Sequence, residues 1–253
     1  MDAWLFRRNF TKFLSIMRGE LVGIISEGAE DYGVLKNILR ALGFDGSEII
    51  AIRPTLSKDA TDKHDNQQTI GTFQGVKNAC EGKDGRRPDF EQFFNTQIDA
   101  KYIVVQIDTA EIDRQNFPFI KPAKEDNPNY STELRVASIE LINTWLSNTY
   151  EDKLFYAITI EELEAWCLTI FENKDTTYLN NLKPQLNKHL QSKNLTYKKL
   201  NCHPTKGKSL YFETFTKRFK FHKLNDLKQY AAKNQSLNDF ILSIEKRLEQ
   251  IEA

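Results

Sequence analysis

Only three of the 253 residues are cysteine, Cys80, Cys167 and Cys202. An odd number set far apart fits neither a disulfide framework nor the paired ligand spacing of a zinc site, so all three are expected to be reduced and structural. Nowhere does an apolar run approach the roughly 20 residues that a bilayer requires. With a mean hydropathy of -0.54, the chain is expected to have no spanning helix and no membrane partner. The opening MDAWLFRRNFTKF lacks the uninterrupted apolar stretch of a secretory signal, because Arg7, Arg8, Asn9 and Lys12 break it. A soluble, cytoplasmic protein is therefore expected. Internal repeats and low-complexity tracts are also missing. The chain is 40% hydrophobic and 28% charged, enough for one large domain or a domain with an appendage.

No charge of one sign is in excess overall, since 35 Lys and Arg stand against 35 Asp and Glu. The average hides an asymmetry. Lys183 to Lys223 holds 11 basic residues and one acidic, Glu213, a net of +10, whereas residues 1 to 182 hold 20 basic and 29 acidic, a net of -9. Clustered Lys and Arg gain affinity for a polyanion by displacing the counterions condensed on its phosphates, so the split points to a nucleic-acid partner. A lysine-rich solvated face is the alternative.

Four short segments read as strands: LVGIIS, EIIAIRP, KYIVVQID and KLFYAITI. Each is a run of apolar or β-branched residues bounded by polar or turn residues. The first is followed by a helix, EDYGVLKNILRALGF, whose Val34, Leu35, Ile38, Leu39 and Leu42 recur at three- and four-residue spacing. Residues 55 to 72 are polar and read as a loop. A helical stretch in one or two pieces covers 73 to 98 around the turn GKDGRRP. STELRVASIELINTWLSN reads as a helix capped by Ser131 or Thr132. Alternating strands and helices require crossover connections, which predicts an α/β fold with a mainly parallel sheet flanked by helices. After Glu161 no strand is evident. The remainder reads as a basic helical C-terminal part with breaks near Lys183-Pro184, Asn201 to Pro204 and Asn225. The expected organisation is an N-terminal helix over 1–18, an α/β domain over 19–171 and the helical region over 172–253.

Ligands of open α/β sheets gather at the carboxyl ends of the strands, and three of the four strands end in carboxylates. Strand one runs into Glu27, Glu30 and Asp31, strand three into Asp108, Glu111 and Asp113, and strand four into Glu161, Glu162 and Glu164. Glu27, Asp108 and Glu161 are expected to converge as unpaired like charges, which a divalent cation would neutralise. Capping of the following helices is the other use for such residues and suits Glu30 and Asp31.

These segments resemble the Toprim domains of topoisomerases, DnaG-type primases and OLD-type nucleases. Glu27-Gly28-Ala29-Glu30-Asp31 looks like the EGxxD motif, and Asp108 after YIVVQI resembles the second motif, commonly an Asp-x-Asp pair. Glu161-Glu162-Leu163-Glu164-Ala165-Trp166 is similar to the Glu-x-x-Glu-Ala-Trp signature of stand-alone RloB-like Toprim proteins, several of them linked to phage defence. The likeness covers roughly residues 19 to 171 and departs at Ala110, where the second aspartate would stand. Glu111, Asp113, Glu161 or Glu164 are the candidate replacements, the last two read as sharing a helix face at i and i+3. The resemblance implies a nuclease using Mg2+ or Mn2+ on DNA or RNA in antiviral defence, with Glu27, Asp108 and Glu161 catalytic. It implies metal ligation by Glu27, Asp31, Asp108, Asp113, Glu161 and Glu164. It also brings in a partner ATPase or sensor protein and a homodimer. A topoisomerase would need a tyrosine-bearing gate domain, and a primase a zinc module. The alternative is a non-catalytic nucleic-acid-binding or regulatory subunit, which Ala110 favours.

Lys206, Lys208, Lys217, Arg218 and Lys220, with Arg86 and Arg87 at the tip of the GKDGRR turn, are the expected nucleic-acid contacts. Phe212, Phe215 and Phe219 fall at i, i+3 and i+7, the core stripe of a helix and not base-stacking platforms. The GKS at Gly207 to Ser209 is not a phosphate-binding loop, because Cys202 stands where its first glycine belongs and no strand precedes it. His64, His189, His203 and His222 are scattered and polar in context, and Trp166 reads as core.

Overall fold

The structure is a computed structural model and describes residues 21–54, 73–82, 87–96, 100–110, 112, 117, 119–195 and 210–252. The strands are β1 (Leu21–Ile25), β2 (Ile49–Arg53), β3 (Ala100–Asp108) and β4 (Leu154–Thr159). In chain order the helices are α1 (Ala29–Ala41), α2 (Phe73–Glu81), α3 (Asp89–Thr96), α4 (Tyr130–Trp145), α5 (Glu164–Leu168), α6 (Leu182–Ser192), α7 (Tyr211–Arg218), α8 (Leu224–Ala231) and α9 (Gln235–Glu252). All four strands are parallel, in the order β2-β1-β3-β4. This is the flanked parallel α/β sheet that the alternation of strands and helices predicts.

Alternate side chains of each strand point to opposite faces, and both faces are covered. Val22, Ile24, Tyr102, Val104, Phe155 and Ala157 bury against α1 and the helices that follow β4. Ile25, Ile103, Val105, Ile107, Leu154 and Ile158 bury against α2, α3 and α4. The C-terminal helices therefore share one core with the sheet. Leu186 of α6, Phe215 of α7, Leu227 of α8 and Phe240 of α9 all lie in the first cluster, and the Trp166 ring stacks on Phe240 while its Nε1 donates to Ser236 Oγ at 2.8 Å. Phe215 is buried, with Phe212 and Phe219 half-buried around it, as the i, i+3, i+7 stripe predicts.

The expected breaks near Lys183-Pro184 and Asn225 fall just before α6 and α8, and the one at Asn201 to Pro204 lies outside the described residues. Pro184 sits in the first turn of α6, where its missing N–H has no intrahelical acceptor to lose. Between α1 and α7 the backbones approach closely. A Cβ on Gly33 would lie 2.9 Å from Glu213 Cβ and 3.0 Å from its backbone nitrogen. Polar pairs knit the same seam. Asn37 Nδ2 donates to the Glu213 carbonyl at 2.7 Å and to Thr216 Oγ1 at 2.8 Å, and Lys36 pairs with Glu213 at 3.3 Å.

Candidate functional site

Because β1 is followed on one side by β2 and on the other by β3, the chain reverses its winding between β1 and β3. The crevice at such a switch point, at the carboxyl ends, is where open α/β sheets take ligands. Glu27 and Asp108 occupy it. The Asp108 backbone N–H donates to Glu27 Oε1 at 2.8 Å. Beneath them lies Gln106, fully buried in an otherwise apolar strand, whose Oε1 accepts the Glu27 backbone N–H at 3.0 Å. Its Nε2 donates to Asp108 Oδ1 at 2.8 Å and to Thr159 Oγ1 at 3.3 Å. The buried Thr159, paired with Asp108 in register on β4, also hydrogen-bonds Asp108 Oδ1. Asp108 is thus held from below by a side-chain network spanning three strands.

Half-buried Asp31, in the first turn of α1, curls back to Gly28 and accepts a hydrogen bond from the Gly28 N–H. That contact is half of a capping box. Burial, followed by the charges of Glu27 and Glu164, pushes the Asp31 carboxyl from 3.8 up to about 8. Asp108 also lies well above the usual carboxylate range, through burial and then the Asp31 charge, with the Thr159 hydrogen bond acting against them. Glu164, at the start of α5, is raised by burial as well. The chain thus brings Glu27, Asp31, Asp108 and Glu164 into mutual electrostatic range without enough positive charge to ionise all of them comfortably.

Glu161 stands differently from the expectation. Its backbone takes the left-handed conformation (φ 66°), an uncommon one for a residue with a Cβ, and α5 begins only at Glu164. Glu161 and Glu164 therefore do not share a helix face. Nor is Glu161 an unpaired charge. Lys121 Nζ lies 2.8 Å from its Oε2 and Lys124 Nζ 3.7 Å from its Oε1, and the buried Tyr130 hydroxyl also bonds Oε1. Burial raises its pKa, but the Lys121 and Tyr130 hydrogen bonds and the two lysine charges outweigh that and leave it below the ordinary value. Its backbone closes onto β3, with Glu161 N–H donating to Thr109 Oγ1 at 2.7 Å and Ala110 N–H to the Glu161 carbonyl at 2.8 Å. Asp113 and Glu111 lie outside the described residues. Among the described residues, no group of three or more His, Cys, Asp or Glu side chains is disposed to hold a metal ion.

Several contacts escape sequence reasoning. Glu30 caps a helix other than its own, its carboxylate accepting the Tyr211 N–H at 3.2 Å and the Phe212 N–H at 2.5 Å at the start of α7. Gln106 has a signal, an amide inside an apolar strand two residues before an acidic end. Thr159 has none, since threonine is an ordinary strand residue. Lys183 is the first lysine of the basic run, and its Nζ lies 2.7 Å from Glu162 Oε1.

Along the α1–α7 seam, Glu30 meets Tyr211 and Phe212, Gly33 meets Glu213, and Asn37 meets Thr216. The two helices therefore run in the same direction from the site. Lys217, Arg218 and Lys220 are exposed at the far end of α7, on the order of 10–20 Å from the carboxylates at 1.5 Å per residue. They are not beside the acidic site. Arg87 is exposed just before α3, in the layer on the other face of the sheet. Arg86, Lys206 and Lys208 lie outside the described residues. Cys80 and Cys167 are buried free thiols, and no helix among the described residues is long and apolar enough to cross a membrane. Comparison with models of known families, with curated proteins and with solved structures finds no match to this chain.

Proposed function

We propose that the protein is a metal-dependent phosphodiesterase of the Toprim kind, a nuclease acting on DNA or RNA. The observation that carries this reading is the pairing of Glu27 with Asp108 at the switch point, 2.8 Å from Asp108 N–H to Glu27 Oε1, with the charges of Asp31 and Glu164 bearing on the same place. Carboxylate oxygens are the donors that hard divalent cations take. Burial first, and then neighbouring carboxylate charges, raises Asp31 and Asp108, and a divalent cation beside them would favour their ionised forms. Asp31 and Asp108 would hold the ion, with Glu27 and Glu164 beside them. Such an ion supplies a polarised phosphoryl oxygen and a water that ionises near neutral pH. The chain's own part is to orient Asp108 through Gln106 and Thr159, to anchor Glu27 on the Asp108 amide, and to close the flank with the Glu161, Lys121 and Tyr130 cluster. Likeness to stand-alone Toprim proteins extends the reading to defence against phage.

A second reading, a non-catalytic nucleic-acid-binding or regulatory subunit, is favoured by two observations. No three-ligand group stands among the described residues, and Glu161 is already paired with lysines. One experiment separates the two. The purified protein is incubated with Mg2+ or Mn2+ and a panel of plasmid, single-stranded DNA and tRNA, beside Asp108→Asn. Cleavage abolished by EDTA and by the substitution supports the nuclease. Binding indifferent to EDTA, with no cleavage by either protein, supports the subunit.

A further inference from the structure

Residues 119 to 124 lie between β3 and α4 and are tied down on both sides of Ile120. Before it, the Phe119 ring packs edge-on against Phe117, with 5.8 Å between centroids, and Phe117 lies on Phe73 of α2. After it, Lys121 Nζ reaches Glu161 Oε2 at 2.8 Å, and Lys124 Nζ donates to the Leu179 carbonyl at 3.1 Å and to Asn180 Oδ1 at 3.3 Å. Pro122, between the two lysines, fixes its own φ. With both flanks anchored, Ile120 is held outward. It is 92% exposed, whereas the next most exposed large apolar residue among those described, Leu242, is at 50%. Single aliphatic residues are common on protein surfaces. A polar side chain, however, would fill this pinned, solvated place without loss of buried surface, so packing within the chain does not explain the isoleucine.

Its place is beside the crevice. Glu161, which Lys121 holds, accepts the Ala110 N–H on its carbonyl at 2.8 Å and lies two residues, at most about 7 Å of chain, past Thr159, the in-register partner of Asp108. Two ammonium groups, those of Lys121 and Lys124, share that one carboxylate. An apolar side chain is thus mounted rigidly beside cations at the carboxyl end of the sheet. That combination matches a single nucleic-acid strand, whose bases present apolar faces and whose phosphates are anionic. We propose that Ile120 packs against the face of an unpaired base, with the phosphates of the strand directed toward Lys121 and Lys124. This rests on reading the protein as one that acts on nucleic acid, and within that reading the substrate is single-stranded or locally unpaired. In a duplex the base faces are covered by stacking, and reaching one requires unstacking a base step. An aliphatic side chain has no donor or acceptor with which to read base edges, so the contact tolerates any sequence.

The test is fluorescence anisotropy of a labelled single-stranded oligonucleotide and of the duplex of the same sequence, in EDTA and again with Ca2+. Wild type, Ile120→Ala, Ile120→Trp and Leu242→Ala are compared, and melting temperatures, which substitution of an exposed side chain should leave unchanged, verify that each is folded. Wild type should prefer the single strand. Ile120→Ala should weaken that binding about tenfold, the order expected when a base covers the equivalent of roughly two methylene groups. The loss should be equal at every salt concentration, since an apolar contact releases no counterions. Ile120→Trp should bind at least as tightly as wild type, with its added indole emission quenched by the strand. Binding by Ile120→Ala equal to wild type, or a loss matched by Leu242→Ala, overturns the contact and leaves the nucleic-acid reading standing. A preference of wild type for the duplex overturns the assignment to unpaired bases. Failure of wild type to bind either oligonucleotide in both conditions removes the nucleic-acid reading and the contact with it.

Discussion

The Asp108 backbone N–H rests on the Glu27 carboxylate, 2.8 Å to Oε1, so the side chain at the end of β1 replaces the acceptor that a further strand residue would have offered. Glu27 thereby has a structural duty as well as a charge. The two are separable by substitution. Glu27→Gln keeps a carbonyl oxygen for the amide and removes the repulsion on Asp31, so its metal-free melting temperature should equal or slightly exceed that of wild type, with activity lost. Glu27→Ala strands the amide and should cost about 1–3 kcal/mol. Thermal denaturation of both variants checks the pair, and a Glu27→Gln protein as unstable as Glu27→Ala would mean that charge, not the acceptor, holds the strand end.

Asp31 makes the metal-free protein lose stability as pH rises from acid towards about 8. Its folded pKa of about 8 exceeds the ordinary 3.8, so between those values the folded chain binds more protons than the unfolded one. Stability then falls as pH rises through that window and is flat with respect to this group below about 4 and above about 8. Asp31→Asn retains an acceptor for the Gly28 N–H and cannot ionise. The variant should melt higher than wild type near pH 8, show a shallower decline from acid to neutral pH, and lose the advantage near pH 4. Saturating Mn2+ should narrow the difference from the wild-type side, because an ion bound only to the folded state stabilises it. Melting curves across pH in EDTA and in Mn2+ measure both effects.

Gly33 is a helix-interior glycine, which costs roughly 1 kcal/mol relative to alanine when nothing else constrains the site. Here alanine should destabilise. Its Cβ would meet the backbone nitrogen of Glu213 at 3.0 Å and its Cα at 3.2 Å, and backbone atoms cannot rotate aside. Overpacking of that kind costs about 1–3 kcal/mol, enough to outweigh the helix-propensity gain. Denaturant unfolding of Gly33→Ala should show a lower midpoint. A raised midpoint would mean that α7 shifts freely on α1.

The strands were readable because LVGII, IIAIR, YIVVQI and LFYAIT are apolar runs, and a strand buried on both faces has little else to be made of. Glu27 and Asp108 followed from their position at strand ends. What escaped were contacts between segments distant in sequence. Spacing tells which residues share an element, but Lys121 meeting Glu161, or Glu30 capping α7 at Tyr211, depends on where loops and later helices dock. The i, i+3 reading of Glu161 and Glu164 failed for a local reason, the left-handed backbone of Glu161 delaying the helix by one turn. Nothing in residue types at 159 to 164 announces that conformation in a glutamate. Lys183-Pro184 marks the break between α5 and α6 from its far side, since proline is at home in the first turn of a helix.

The basic segment sets the last expectation, shaped by the parallel course of α1 and α7. Lys217, Arg218 and Lys220 are exposed at the end of α7 remote from the carboxylates, and Lys220 has only a 3.8 Å approach to Asp226 in a solvated setting, so all three are available to phosphates. If they grip nucleic acid, log affinity should fall with log salt with a slope of about -0.9 for each duplex phosphate neutralised, or about -0.7 for each single-strand phosphate. Replacing all three by alanine should make that slope shallower by about one unit for each phosphate no longer neutralised, without sequence preference. Because these side chains stand a helix length from Asp108, the substitution should leave Mn2+ affinity unchanged and raise KM far more than it lowers kcat, loss of uniform binding having no effect on the bound complex. Salt titrations of binding and steady-state kinetics on the same triple variant read the two arms. An unaltered slope would assign this face to solvent and make Lys206 and Lys208 the next residues to replace.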